Sequence, residues 1–86
     1  MRNISIRPEA WEELKFWIEE KPKVALRIHR ILNECCRTPF EGIGKPEPLK
    51  GNFKNKWSRR IDDEHRLVYE VTDTEITVFS LRGHYE

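Results

Sequence analysis

Trp57-Ser58-Arg59-Arg60-Ile61-Asp62-Asp63-Glu64-His65-Arg66-Leu67-Val68-Tyr69-Glu70-Val71 reads as two strands and the turn between them. Trp57 to Ile61 alternates, with Trp57 and Ile61 on one face and Ser58 and Arg60 on the other. Asp62-Asp63-Glu64 is a turn, and His65 to Val71 is a strand rich in β-branched and aromatic residues. Leu67 and Tyr69 share one face of that strand, so Arg66 points away from them. Thr72-Asp73-Thr74 is a further turn, and Glu75 to Arg82 a last strand. Connections this short make consecutive strands antiparallel. The C-terminal third is therefore predicted to be a three-stranded antiparallel meander.

Upstream of it, Thr38-Pro39-Phe40-Glu41-Gly42-Ile43-Gly44-Lys45-Pro46-Glu47-Pro48 reads as a loop, since its prolines and glycines leave no room for regular structure. Before the loop, Val24, Ile28, Ile31, Leu32 and Cys35 recur at helical intervals, predicting a helix from about Pro22 to Cys36 with His29 and Arg30 beside its apolar stripe. Lys21-Pro22 separates this helix from an earlier one, because a proline disfavours the helical region for its predecessor. That earlier helix starts at Arg7-Pro8-Glu9, with proline at its first position and Glu9, Glu12 and Glu13 at the positive end of its dipole. Ala10, Trp11, Leu14, Trp17 and Ile18 are expected on one face of it. Two helices so closely joined form an antiparallel hairpin. Ile4 and Ile6 alternate with polar neighbours and predict a short N-terminal strand. The expected fold is α+β: an N-terminal strand, a two-helix hairpin and the meander, in one twisted sheet and one domain over residues 1–86.

Eighty-six residues can bury only a modest core. No apolar run approaches the roughly 20 residues of a membrane-spanning helix, and the N-terminus does not read as a signal peptide. A cytoplasmic protein without membrane contact is expected. Cys35 and Cys36 are adjacent, which disfavours a disulfide and predicts a small apolar pair near a helix end.

The net charge of +1 says little, but its distribution says more. Residues 45–60 carry Lys45, Lys50, Lys54, Lys56, Arg59 and Arg60 against Glu47 alone. From residue 67 onward Arg82 faces Glu70, Asp73, Glu75 and Glu86. A localised basic band is the footprint expected of a protein that meets a phosphate backbone, though a solvated lysine-rich loop looks similar. Gly42-Ile43-Gly44-Lys45 lacks the glycine spacing of a phosphate-binding loop. His29, His65 and His84 are too scattered for a metal site, and no metal or cofactor is expected.

What remains is one carboxylate in a basic loop, arginines on strands and a histidine–tyrosine pair. RNA supplies its own nucleophile, the 2′-OH. Cleavage then needs a base for that proton, an acid for the departing 5′-oxygen, and positive charge on the phosphorane-like transition state. Glu47 suits the base, His84 the acid, and Arg66 with Arg60 and Lys50 the charge clamp. Tyr85 suits stacking on a base or a hydrogen bond to the phosphate. Arg59, in the same basic band, is expected among the substrate contacts. Each residue also has a plainer reading: Glu47 paired with Lys45 or Lys50, the arginines as surface strand residues, and His84-Tyr85 as a frayed end.

Arg37-Thr38-Pro39-Phe40-Glu41-Gly42, with Gly44-Lys45-Pro46-Glu47-Pro48-Leu49-Lys50, closely resembles the central loop of the YoeB toxins, in the wider RelE-like family of bacterial toxin–antitoxin systems. Trp57-Ser58-Arg59-Arg60-Ile61, Glu64-His65-Arg66-Leu67-Val68-Tyr69 and the closing His84-Tyr85 share the resemblance. It implies a microbial-ribonuclease-like fold and a ribosome-dependent mRNA interferase that cuts the messenger in the A site and so inhibits translation. By motif position it implies Glu47 as general base, His84 as general acid and Arg66 as the transition-state arginine. Tyr85 would position substrate, and Lys50 and Arg60 would contact phosphate. The implied cuts leave a 3′-phosphate or 2′,3′-cyclic phosphate and a 5′-OH. The implied partners are the ribosome and messenger, a YefM-like antitoxin whose disordered tail folds onto the toxin, operator DNA through the antitoxin complex alone, and a second copy in a homodimer. Two other readings stand beside it. One is a non-catalytic binding module that acts only as antitoxin partner and corepressor, and the other a ribonuclease of free RNA.

Overall fold

The computed structural model describes residues 1–51 and 55–83. Strand β1 spans Asn3–Ile6, helix α1 Pro8–Glu20 and helix α2 Pro22–Cys35, followed by strands β2 (Glu47–Pro48), β3 (Lys56–Arg60), β4 (Arg66–Val71) and β5 (Glu75–Ser80). Both helices begin on a proline, whose missing N–H costs nothing at that position. Lys21, between them, takes φ −145° and ψ 78°, outside the helical region, as a residue preceding proline must. Its N–H still closes the last turn of α1 on the Trp17 carbonyl at 2.8 Å.

The α2 stripe is as expected, with Ile28, Ile31, Leu32 and Cys35 buried. On α1 the expected face needs correction. Ala10 and Trp17 are buried, but Trp11 is 60% and Ile18 54% exposed. Each lies one residue beyond a buried position, hence about 100° further around the helix, which carries it off the core stripe.

The sheet runs in the order β1-β5-β4-β3-β2. The predicted meander is present: β3 pairs antiparallel with β4, and β4 with β5. β1 joins the free edge of β5 in parallel, Ile4 opposite Ile76 and Ile6 opposite Val78, making the sheet mixed. A further correction concerns the proline-rich loop, whose end forms a two-residue strand, Glu47 opposite Ser58 and Pro48 opposite Trp57. Pro48 is tolerated there because β2 is the sheet's outermost strand. A register shift between Val68 and Tyr69 leaves Phe79 unpaired on β5, a β-bulge that bends the strand end.

The helices cover one face of the sheet. Trp17, Ile28, Ile31 and Leu32 meet Ile61, Leu67, Tyr69, Ile76, Val78 and Leu81 in one core. Cys35 and Cys36 are buried free thiols, and burial pushes the Cys35 thiol up to about 11. No helix among the described residues is long and apolar enough to cross a membrane.

Candidate active site

Strand alternation divides the charged residues of the meander between the two faces of the sheet. Trp57, Arg59 and Ile61 face the helices with Leu67 and Tyr69, whereas Ser58, Arg60, Arg66 and Val68 occupy the face the helices leave free. Across this second face runs a row of register partners, Glu47, Ser58, Val68 and Ser80. Ser58, Val68 and Ser80 are buried and form a floor of short side chains, with exposed Glu47 at its edge. One pleat repeat further along, about 7 Å, Arg60 stands directly opposite Arg66.

Two like charges in direct cross-strand register destabilise a sheet unless an anion lies between them. Among the described residues, the side chains of Arg60, Arg66 and Glu47 have no ion-pair or hydrogen-bond partner. Arg60 is exposed and Arg66 half-buried, so the pair opens to solvent beside a carboxylate. Lys50, two residues past β2, is exposed and makes no polar contact among the described residues. His84 and Tyr85 lie outside the described residues. The described chain ends at Gly83, whose carbonyl accepts the Arg66 N–H at 2.8 Å.

The loop that carries Glu47 is brought to the sheet by Gly44. Its carbonyl accepts the Arg60 N–H at 2.6 Å, and its φ is 83°. A Cβ there would approach the Arg60 carbonyl oxygen to 2.7 Å, so only glycine lets the loop lie so close to β3.

Arg59 corrects an expectation. It does not join Arg60 and Lys50 as a substrate contact, because it is fully buried on the helix side of the sheet. Its five N–H donors are all engaged. Nε donates to the Tyr69 hydroxyl at 3.2 Å. One terminal nitrogen donates to Glu34 at 2.5 Å and the Ile43 carbonyl at 3.2 Å. The other donates to the carbonyls of Thr38 at 2.6 Å and Glu41 at 3.0 Å. Tyr69 in turn donates to the Pro39 carbonyl at 2.6 Å, and the Ile43 N–H donates to Glu34 at 2.7 Å.

Arg59 and Glu34 thus clamp the loop from Thr38 to Ile43, from which the chain proceeds to Gly44 and Glu47. Burial opposes the charge on Glu34, but the hydrogen bonds from Arg59 and Ile43 and the guanidinium charge outweigh it, leaving the carboxyl below its ordinary range. For Arg59 burial acts downward and is outweighed by the bonds to Tyr69 and Glu34, so its guanidinium is held even more firmly charged. Burial pushes the Tyr69 hydroxyl up to about 12, so it remains a neutral donor. Reasoning on sequence missed Glu34 altogether. For Arg59 the signal was present, since it shares its strand face with Trp57 and Ile61.

Among the described residues no three of histidine, cysteine, aspartate and glutamate gather as metal ligands. A second surface feature lies on the far side of the molecule, an apolar cleft of about 580 Å³ between β1, α1 and α2, lined by Ile4, Ile18, Leu26 and Leu32 among others.

Residues 6–85 match the family model described as YoeB-like toxin of bacterial type II toxin–antitoxin system. The toxin RelK of Mycobacterium tuberculosis is 53% identical over 85 residues, covering 99% of this chain and 100% of that one. The YoeB dimer from Staphylococcus aureus superposes with a TM-score of 0.91 at 42% identity, covering 98% of both chains. A YoeB–YefM complex from the same organism gives 0.87 at 42% identity, over 99% of both chains.

Proposed function

The chain belongs to the family of YoeB-like toxins of bacterial type II toxin–antitoxin systems, and we propose that it is a ribosome-dependent endoribonuclease that cuts messenger RNA in the A site. The observation that carries this reading is the opposition of Arg60 and Arg66, without counter-ions among the described residues, on the same sheet face as Glu47. A fold that sets two arginines in direct cross-strand register bears a like-charge cost that a bound phosphodiester would offset.

With the scissile phosphate between the two arginines, Glu47 takes the proton of the neighbouring 2′-OH as that oxygen attacks phosphorus. Arg60, Arg66 and Lys50 hold the negative charge that gathers on the phosphorane oxygens. The bond to the 5′-oxygen breaks on the opposite side, where His84 delivers a proton to the leaving group. Tyr85 positions the substrate. The products are a 2′,3′-cyclic phosphate, opened by water to a 3′-phosphate, and a 5′-OH. The nucleophile belongs to the substrate, so the scheme needs neither a protein nucleophile nor a metal.

The dimer and the YoeB–YefM complex of Staphylococcus aureus support a YefM-like antitoxin and a second copy of the chain as partners, and the proposal adds operator DNA through the antitoxin complex and a place in the bacterial cytoplasm. The basic band is modest, and smaller still with Arg59 buried, so attraction for naked RNA is weak, which supports dependence on the ribosome for presenting the strand. The test is in vitro translation of a defined messenger with primer extension, with and without ribosomes. Cuts that need ribosomes and vanish in His84→Ala are expected. Unchanged cutting by His84→Ala contradicts the assigned acid, and no cutting by the wild type leaves the binding-module reading in its place.

A further inference from the structure

Beyond β5 the chain is held by side chains. The Leu81 N–H donates to Glu13 at 2.8 Å, and the Leu81 carbonyl accepts the Trp17 indole N–H at 2.8 Å. The Arg82 guanidinium lies 3.7 Å from the centre of the Phe16 ring. Gly83 is gripped on both sides from the start of β4 and the residue before it: its N–H donates to His65 Nδ1 at 2.9 Å, and its carbonyl accepts the Arg66 N–H at 2.8 Å.

His65 is itself fixed. Its ring stands edge-on to Trp17, with centroids 5.0 Å apart and planes at 79°. Its own N–H donates to Asp62 at 2.6 Å, and its carbonyl accepts the Ile61 N–H at 2.9 Å. An Nδ1 that accepts carries no proton, which puts the ring proton on Nε2, 3.6 Å from the Glu64 carboxylate. At Gly83 no described residue other than its chain neighbours crowds the Cα. The glycine has a φ of 76°, and a Cβ built there meets no described atom within 4 Å. Among the described residues three hydrogen bonds set its rotation: the two above, and the one the Ser80 hydroxyl donates to the Arg82 carbonyl, on the other side of the same peptide, at 2.9 Å.

We propose that His65 is a positioning residue for the cleavage reaction, its Nδ1 fixing the Gly83 amide and thereby the point beside Arg66 from which the chain continues to His84. The inference rests on the reading of His84 as the acid. Glu13 and Trp17 hold Leu81, two residues earlier, and Ser80 holds the carbonyl of the Arg82–Gly83 peptide, while His65 grips that peptide's N–H.

The test compares His65→Ala, His65→Gln and His65→Asn in single-turnover cleavage on programmed ribosomes. Asparagine places its amide oxygen where Nδ1 stood, whereas glutamine carries its oxygen one bond further out. The expected result is a kcat about 10- to 100-fold lower for the alanine and glutamine variants, with half-saturating ribosome concentration unchanged and asparagine close to wild type. The Gly83 amide proton should exchange with solvent faster in the alanine and glutamine variants than in the asparagine variant. Wild-type kcat in His65→Ala, or an asparagine variant as slow or as poorly folded as the alanine one, overturns the positioning role while leaving the function intact. A wild type that does not cut overturns both.

Discussion

Arg59 donates to Glu34 at 2.5 Å, joining the end of β3 to the last turn of α2 and closing the loop between them. The neighbouring Arg60 points the other way and has no partner among the described residues. Consecutive arginines therefore face opposite sides of the sheet, one structural and the other, in the proposed mechanism, directed at substrate. Arg59 is fully buried and Glu34 half-buried, so removing the arginine, which also strands the Tyr69 hydroxyl and three loop carbonyls, costs about 3 kcal/mol. For a domain of this size each kcal/mol lowers Tm by roughly 4–8 °C. Arg59→Ala should melt at least about 12 °C below wild type, and Arg60→Ala within about 0.5 kcal/mol of it. Thermal melts of both variants decide this, and an Arg59→Ala protein as stable as wild type contradicts the clamp.

The same pair makes stability depend on pH. Glu34 titrates below its ordinary range when folded, so the chain binds more protons unfolded than folded over the interval between the two values. Its contribution is complete above the unfolded value, about 4.3, and is lost as pH falls through the lowered folded one. Urea denaturation of wild type and Glu34→Gln should show a stability gap that is widest at neutral pH and narrows below about pH 4.3. A gap constant from neutral pH to pH 3 speaks against the charge of Glu34 as its source.

Gly44→Ala places a methyl group against the Arg60 carbonyl at a positive φ. The backbone cost alone is about 1–2 kcal/mol. Because the residue presses the Glu47 loop onto β3, cleavage should fall by more than the loss of folded protein explains. Activity normalised to the folded fraction measures this, and normalised activity equal to wild type would remove Gly44 from the site's architecture.

Arg66→Ala removes half of the opposed pair. Cleavage should fall by about 10²–10³-fold, the cost of losing a transition-state donor, while the melting temperature holds or rises as the like-charge contact disappears. Arg66→Lys keeps the charge without the planar fork and should fall between the two. Joint loss of fold and activity in Arg66→Ala would mean that Arg66 serves the fold instead.

Much of the architecture is legible locally. Pro8 and Pro22 mark both helix starts, and alternation from Trp57 to Tyr69 sorts Arg60 and Arg66 onto the free face. What escaped is what depends on distant partners. Ile4 shows no sign that its neighbour is Ile76, because nothing local encodes a pairing across most of the chain. The edge strand at Glu47–Pro48 hides among prolines that usually end regular structure, and it forms because β3 offers an open side. Arg59 sits on the apolar face of its strand, where a charge is unexpected, and only the distant carbonyls of Thr38, Glu41 and Ile43, together with Glu34, satisfy it there. Of the proposed site, Glu47, Arg60 and Arg66 share one face, whereas His84 and Tyr85 lie outside the described residues.

In the proposed reaction the substrate's own 2′-hydroxyl breaks the chain, with Glu47 taking its proton, the paired arginines holding the phosphate and His84 protonating the leaving oxygen. A messenger carrying a single 2′-deoxynucleotide at a mapped cut site, translated with the wild-type protein, tests it most directly. Cleavage at that phosphate should disappear while cuts at unmodified sites persist, each leaving a 5′-OH. Continued cutting at the deoxy position would contradict the account.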